Sequence, residues 1–408
     1  MSQAQGKGRV ARRVVFYIPG FDPHPPRRYR ELYRKEAAAQ AALSGYRLAL
    51  TPSDKGAHFG WTVAARIDGA EVETRFQVLV WDDLVRDAMH DNIAATYGQM
   101  LRTIAVYFGS GAVWPLLRLR QGPVIAGFYP VAMLLVQALV AALAVWAVVA
   151  LVALVVPVWA ALGPGLVAGW LVLRGFKRID GRLFAHYLMH DLAYCAEGRG
   201  AYPPSLEARL AGFAGRIRAA LAEEVDEVLV VGHSSGATLG VSVLADLLRG
   251  GVPGGGPALS FLSLGHSVPM ASFLPRAGRL RADLALMAGQ GEVPWVDVSA
   301  PGDGCCYALC DPVAVTGVAP EGARWPLVLS AAFTRTLSPA KQADLRRRYF
   351  RLHFQYLCAF DALPDSADAY DYFRITAGPM TLWQRLGGRA PSPGRIARAV
   401  SRYRDTAA

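Results

Sequence analysis

Short apolar runs recur along the chain and are separated by longer stretches in which apolar residues follow a helical period. The runs lie at residues 13–18, 77–81, 228–231 and 259–264, and an alternating apolar segment follows at 294–298. A short apolar run bounded by turn residues is typical of a strand covered on both faces, as in a parallel sheet. The pattern therefore predicts buried strands that alternate with helices, as in an α/β fold.

One apolar run is far longer than the others. No Asp, Glu, Lys, Arg or His occurs from Gln121 to Leu173. About 20 apolar residues span a bilayer as a helix, so this run suits two spans joined by a turn, which we place at residues 150–158. A soluble core helix is rarely apolar on every side for so long. We therefore expect a helical transmembrane hairpin at 121–174, with a re-entrant hairpin or a buried core hairpin as alternatives.

The hairpin divides the chain into parts. We expect a flexible basic tail at 1–12, followed by the first part of a catalytic domain at 13–120. The hairpin at 121–174 precedes the second part of that domain at 175–387, and a basic C-terminal tail follows at 388–408. An Asp68-Gly69 pair between two alternating segments also predicts a β-hairpin in the first part.

The most informative motif is Gly232-His233-Ser234-Ser235-Gly236. It follows the strand at 228–231 and precedes an apolar helical stretch. This is the context of a G-x-S-x-G nucleophile elbow, a turn so tight that only glycine fits at its two ends. Such a turn exposes the serine hydroxyl and aims the N-terminus of the following helix at an anion that forms beside it. The motif predicts that Ser234 is a catalytic nucleophile.

These residues resemble the α/β-hydrolase superfamily, in particular its serine esterases and lipase-like members. The resemblance is at motif level, over roughly residues 13–110 and 176–365, and the inserted hairpin departs from soluble members. It implies that an acid and then a histidine follow the nucleophile in chain order. It also implies an α/β-hydrolase-type, mostly parallel sheet flanked by helices, and an acyl-enzyme mechanism.

Two histidines follow Ser234, namely His266 and His353. His266 ends the next strand, which is too early to follow an acid. His353 precedes a tyrosine by three residues, as in many esterases that this chain resembles, and we expect it to be the base. The pattern places His353 near the middle of a helix at 341–360, whereas the related histidines usually lie in a loop.

The acid is expected after the strand at 294–298. That strand begins with Trp295, and Pro301 and Asp303 follow it in a loop, as in lipase-like hydrolases. Asp303 is therefore the predicted acid, and Asp311 is the alternative. The backbone N–H groups of Phe21, in the loop after the first strand, and Ser235 are the predicted oxyanion hole.

The distribution of charge indicates on which side of the membrane the domain lies. The net charge is +11, and basic residues flank both ends of the hairpin. By the positive-inside rule, both ends lie in the cytoplasm, and residues 1–13 lack the apolar segment of a signal peptide. We expect two spans in the cell inner membrane and a cytoplasmic catalytic domain. The charges suit membrane lipids, and no nucleic-acid-binding motif accompanies them.

The five cysteines do not have a zinc-binding spacing, so neither a metal nor a cofactor is predicted. The segment 394–404 places Ile396, Val400 and Tyr403 on one face of a helix, with arginines around them. This predicts a short helix on an anionic membrane surface. The alternatives are that these residues pack on the catalytic domain or that the tail is disordered.

The sequence as a whole predicts a membrane-anchored serine hydrolase that cleaves a small-molecule or lipid ester. Thioester and amide cleavage use the same apparatus, so they stay open. A hydrolase-like membrane adaptor without activity is the alternative from another class. The sequence gives no indication of the oligomeric state.

Overall fold

The computed structural model describes residues 8–53, 58–89, 92–362 and 369–407. It has α/β architecture, as the apolar pattern predicts, and its strands all belong to one sheet. The strands are β1 Arg12–Ile18, β2 Arg47–Ser53, β3 Gly60–Ile67, β4 Ala70–Val78, β5 Glu227–His233, β6 Ala258–Leu264, β7 Trp295–Ser299 and β8 Leu327–Ser330.

The helices fall between the strands and in one large insertion. They are α1 Arg27–Ser44, α2 Asp82–Ala88, α3 Ile93–Gly109, α4 Val113–Leu119, α5 Gln121–Val152, α6 Val158–Arg178, α7 Asp180–Leu183, α8 Ala185–Glu197, α9 Pro204–Ala220, α10 Ser235–Arg249, α11 Val268–Ser272, α12 Gly278–Gly289, α13 Pro312–Thr316, α14 Phe333–Thr336, α15 Pro339–Leu345, α16 Tyr349–His353, α17 Tyr372–Ala377 and α18 Leu382–Leu386.

The sheet has eight strands in the order β2-β3-β4-β1-β5-β6-β7-β8. From β4 to β8 neighbouring strands are parallel, and β2 and β3 form an antiparallel edge. The Asp68-Gly69 hairpin joins β3 to β4. Of the run expected as a separate strand at 77–81, only residues 77 and 78 lie in a strand, and they are the end of β4, which continues from the hairpin without a break.

Both faces of the sheet are covered, which explains why its central strands are apolar throughout. On β1, Val14 and Phe16 pack against α9 and α10, while Val15 and Tyr17 pack against α1 and α17 on the other face. Every residue of β5 is buried. Parallel strands place their carboxyl ends at one edge, so the loops after β1, β5, β6 and β7 meet there.

The long apolar run forms two helices, α5 and α6, and both are long and apolar enough to cross a membrane. The break between them lies at 153–157, within the expected range. Three small buried residues on α6, Ala161, Gly165 and Gly169, recur every fourth position and face α5. A Cβ at Gly165 would lie 2.5 Å from Val149. The small residues thus allow close packing of the two helices, as is common in membranes.

The far end of the hairpin stands clear of the domain. Leu154 and Val155, in the turn, are 78% and 83% exposed. Near its base, by contrast, α5 packs against α3 and α8, and Val124, Val131 and Leu134 belong to a third hydrophobic cluster with α4 and α11. The hairpin is therefore anchored in the domain by the first half of α5.

The expectation for the C-terminal tail is wrong. Residues 394–404 form no helix. The Ile396 N–H donates to the Leu309 carbonyl at 2.8 Å, and Arg395 pairs with Asp311 at 2.5 Å. Two prolines and Gly394 precede the segment and disfavour a helix. The segment therefore packs on the α/β domain, which was the first alternative.

The N-terminal tail is also partly ordered, against expectation. Val10 is buried and its N–H donates to the Pro379 carbonyl at 2.9 Å. The N–H groups of Ala11 and Arg12 donate to the Asp226 carboxylate at 2.7 and 2.8 Å. Residues 8–12 are therefore bound to the domain, and residues 1–7 lie outside the described residues.

Candidate active site

Ser234 lies in the turn between β5 and α10, as the motif predicts. Its φ of 57° and ψ of −125° are unusual for a residue with a side chain. The glycines on either side explain how the turn is possible. A Cβ at Gly236 would lie 2.1 Å from the Ile18 carbonyl oxygen, and one at Gly232 would lie 2.6 Å from the Gly236 carbonyl oxygen. The turn thus needs both glycines and holds Ser234 in a strained conformation.

The loop after β1 lies directly against Ser234. A Cβ at Gly20 would lie 3.5 Å from the Ser234 hydroxyl oxygen. The backbone N–H groups of Phe21 and Ser235 donate to no protein group within the described residues. Two N–H donors near a serine hydroxyl, both without a partner, have the character of an oxyanion hole.

Side chains from three elements hold this loop in place. The Trp81 indole N–H donates to the Pro19 carbonyl at 3.0 Å, and the Tyr187 hydroxyl donates to the Phe21 carbonyl at 2.5 Å. Asp22 is fixed inside the loop, where it accepts hydrogen bonds from Tyr29 and from Arg28 at 3.1 Å. The loop is therefore positioned before any ligand binds.

His353 and Asp303 meet at the same edge of the sheet. The His353 Nδ1 and the Asp303 Oδ2 are 2.7 Å apart, and both side chains are buried. Burial alone would raise the pKa of Asp303, but the neighbouring His353 holds that pKa below its usual value. The carboxylate is therefore ionised and fixes the Nδ1–H tautomer of the imidazole.

Two further donors support the carboxylate. The Tyr356 hydroxyl donates to Asp303 Oδ2 at 3.0 Å, and the Cys305 backbone N–H donates to Oδ1 at 2.9 Å. Tyr356 is the tyrosine three residues after His353, and its own oxygen accepts from the Ala300 N–H at 3.0 Å. This network ties the acid loop to the histidine segment.

The other nitrogen of His353 is free. Nε2 is buried and hydrogen-bonds to nothing in the part of the chain that the structure describes. His353 is the last residue of the short helix α16, and a 3₁₀ turn at Phe354–Leu357 follows. The continuous helix expected at 341–360 is therefore wrong, and the break leaves His353 at a helix end rather than in the middle.

Asp311, the alternative acid, lies elsewhere. Its side chain caps α13 by accepting from the Val313 and Ala314 N–H groups, each at 3.0 Å, and it pairs with Arg395. His266 is also apart from His353, since its Nε2 donates to the Cys310 carbonyl at 2.9 Å. The structure thus pairs Asp303 with His353 at the sheet edge where Ser234 lies, and gives Asp311 and His266 other partners.

The sequence reasoning missed His233. Its ring lies 4.7 Å from the ring of His353, and its Nε2 donates to the His353 carbonyl at 3.0 Å. Burial lowers the pKa of His233 to about 3, and the charge of His353 adds to that effect. The ring is therefore neutral and can hold the backbone of His353 in place. Within the motif this position accepts any residue, so no sequence signal marks it.

It also missed Asp191, on α8, to which no sequence pattern assigns a role. This half-buried carboxyl interacts electrostatically with His353, and burial raises its pKa to about 7. A carboxyl group beside the site with a pKa so far from normal is a functional candidate.

Asp303, Cys305 and His353 have ligand atoms within 4.8 Å of one another, so a metal ion is geometrically conceivable there. The set fits a metal poorly, because the Asp303 and His353 atoms already bond to each other. Burial also raises the pKa of the Cys305 thiol, which disfavours the thiolate that binds metals.

No family model, curated protein or solved structure matches this chain. The site has to be interpreted from its own geometry.

Proposed function

We propose that this chain is a membrane-anchored serine hydrolase that cleaves an ester through an acyl-enzyme on Ser234. The observation that carries the proposal is the buried hydrogen bond between Asp303 and His353, on the same sheet edge as the strained turn of Ser234. Strained backbone and a fixed histidine tautomer cost stability and are typical of catalytic sites. The α/β-hydrolase resemblance of the motif supports the same function.

The mechanism follows from the atoms at the site. The Ser234 hydroxyl attacks the ester carbonyl, and the free Nε2 of His353 takes its proton. Asp303 stabilises the imidazolium that results. The N–H groups of Phe21 and Ser235 bind the oxyanion, and His353 then protonates the leaving alcohol. Water then attacks the acyl carbonyl, and the Nε2 of His353 takes the proton of the water. His353 returns this proton to the Ser234 oxygen as the acyl bond breaks, and the carboxylic acid is released.

The substrate class proposed is a small-molecule or lipid ester. The exposed, apolar hairpin supports a lipid source, since α5 and α6 are long and apolar enough to hold the domain at a bilayer. We further propose that the hairpin crosses the cell inner membrane and that the domain lies in the cytoplasm, because basic residues stand at both ends of the hairpin.

The first test is covalent labelling of Ser234 by a fluorophosphonate probe. We expect the full-length protein in detergent to be labelled and Ser234→Ala to be unlabelled and inactive on esters, with a loss on the order of 10⁴-fold or more. Ser235→Ala is the matched control, because only its backbone N–H is used. Ester activity of Ser234→Ala within a few-fold of the parent contradicts the mechanism. An unlabelled, inactive parent favours the adaptor alternative.

The topology is tested by a single cysteine at position 153, in a variant whose five native cysteines are replaced. An impermeant thiol reagent should label Ala153→Cys from outside intact cells. It should label Arg66→Cys, on the exposed edge of the domain, only after lysis. Labelling of residue 153 only after lysis would favour a re-entrant hairpin.

A further inference from the structure

The helix that carries His353 also presents an aromatic surface to solvent. On α16, Tyr349 is 64% exposed, and Phe350 beside it is half-buried. The Phe350 ring lies 5.1 Å from the ring of Phe184, which is itself 39% exposed. Exposed aromatic residues in contact are unusual on a surface that faces only water.

Two connections join this surface to the base of the hairpin, and the first runs through Phe184. Phe184 directly follows α7, which connects to α6, and the Tyr129 hydroxyl of α5 donates to the neighbouring Leu183 carbonyl at 2.8 Å. One turn before Tyr129, Ile125 is 66% exposed. We call the set Ile125, Tyr129, Phe184, Tyr349 and Phe350 the apolar strip.

The second connection runs through the acid loop. A Cβ at Gly122, near the start of α5, would lie 3.2 Å from the Cα of Gly304, and one at Gly304 would lie 4.0 Å from the Tyr349 ring. Gly304 directly follows Asp303. The start of α5, the acid loop and the helix of His353 are therefore in direct contact.

A strongly basic segment borders the strip. Residues 341–353 contain five basic residues and one acidic residue. Asp344 pairs with Arg348 at 3.1 Å and with Arg351 at 3.5 Å. Arg346 and Arg347 are exposed and form no ion pair within the described ranges. We call Arg346, Arg347, Arg348 and Arg351 the arginine flank.

We infer that the apolar strip and the arginine flank together form a second membrane contact, whose partner is the surface of an anionic lipid bilayer. Aromatic side chains favour the interface between headgroups and acyl chains, and arginines favour lipid phosphates. The hairpin already holds this part of the domain near the bilayer, so little further ordering is required for the contact to form. The contact places α16, and with it His353, at the membrane surface.

One consequence rests on the proposed function. The Phe184 ring lies 6.4 Å from the ring of Tyr187, whose hydroxyl bonds to the Phe21 carbonyl. Aromatic side chains thus lead from the strip to the oxyanion loop. An ester with a long acyl chain reaches Ser234 along this path directly from the bilayer, and such esters are the substrate class we assign.

The membrane contact is tested by hydrogen exchange, without any use of activity. The full-length protein is placed in nanodiscs of phosphatidylcholine alone, or of phosphatidylcholine mixed with phosphatidylglycerol. We expect the amides of 345–353 to exchange roughly tenfold more slowly in the anionic discs. Arg346→Gln/Arg347→Gln should remove the difference. Arg47→Gln/Arg66→Gln, at the opposite edge of the sheet, should keep it. Equal exchange in the two kinds of disc overturns the inference.

The substrate path is tested separately with two esters, one water-soluble and short, the other held in vesicles by a long acyl chain. We expect Phe184→Ser and Tyr349→Ser to reduce turnover of the vesicle-bound ester about tenfold and to leave the soluble ester within twofold. An equal effect on both esters contradicts the path. Fluorophosphonate labelling of Ser234 distinguishes this result from failure of the proposed function, since labelling reports on the site alone.

Discussion

Two aspartate–histidine pairs are buried at the carboxyl edge of this sheet, and they are held differently. Asp303 and His353 are 2.7 Å apart, while Asp297 and His266 are 3.8 Å apart. Burial raises the pKa of Asp297 by more than His266 and the neighbouring serine hydroxyls lower it, whereas the pKa of Asp303 is lowered in spite of burial. Residue type and burial are the same in both pairs, so the difference has another cause.

That cause is the set of donors around each carboxylate. Asp303 lies in a loop, where the Cys305 N–H, the Tyr356 hydroxyl and the imidazole of His353 all reach it. Asp297 lies within β7, where one oxygen accepts from Ser263 and the other is buried without a hydrogen bond to any described residue. The backbone N–H groups of a strand donate to the neighbouring strands. Only the loop therefore supplies enough free donors to keep a buried carboxylate ionised.

The largest test of this comparison replaces the two histidines. We expect His353→Ala to reduce ester turnover on the order of 10⁴-fold, because it removes the proton acceptor. His266→Ala should stay within a few-fold per mole of folded protein, since His266 contacts the Cys310 carbonyl and not the site. Initial rates and circular dichroism, measured on the same preparations, check both variants. A comparable loss of turnover in the two variants would mean that the site includes the second pair.

A somewhat smaller effect is expected for the acids. Asp303→Asn leaves the shape intact but withdraws the charge that fixes the imidazole, and we expect turnover to fall roughly 10³- to 10⁴-fold. Asp297→Asn and Asp311→Asn are the controls and should each stay within a few-fold. Asparagine can still cap α13 at position 311. If Asp311→Asn were as damaging as Asp303→Asn, the assignment of the acid would be wrong.

The parts of the site that follow from local chain geometry could be predicted from the sequence. The elbow at Ser234 needs only a strand, two glycines and a helix, and all three are visible in the residues. Asp303 and His353 could be selected by the chain order and context that the α/β-hydrolase resemblance implies, and the structure pairs them with each other.

Contacts between distant segments that no motif or resemblance marks could not be predicted. The bond from His233 to the His353 carbonyl depends on how the segment at 353 returns to the sheet, and no pattern near His233 records it. The helix expected at 341–360 breaks into three short pieces, since tertiary contacts such as the Tyr356 bond to Asp303 override helical periodicity. The tail at 394–404 has helical spacing of its apolar residues, yet Ile396 pairs with the backbone beside Cys310 instead.

The smallest predicted effect is a change in stability at a third carboxyl group, Asp191. Asp191 extends the comparison between Asp303 and Asp297 because it also interacts with His353. Burial raises its pKa to about 7, and the charge of His353 lowers it slightly. An unfolded aspartate has a pKa near 3.9. Between these two values the folded state binds more protons than the unfolded state, so the free energy of unfolding falls as pH rises from about 4 to about 7. Above that pH the penalty is constant.

Asp191→Asn removes this penalty, because the amide stays neutral at every pH. We expect the variant to be more stable than the parent at pH 8, by roughly 2 to 4 kcal/mol, and little different at pH 4. Thermal unfolding of the detergent-solubilised protein across this pH range measures the difference. Asp87→Asn is the control, since Asp87 is exposed on α2 and should show no such trend. A parent and an Asp191→Asn variant with parallel stability curves would mean that Asp191 is ionised in the folded protein over the whole range from about pH 4 to pH 8. In that case a second negative charge would face His353, and the contrast between Asp303 and the other buried carboxyls would be weaker than the structure indicates.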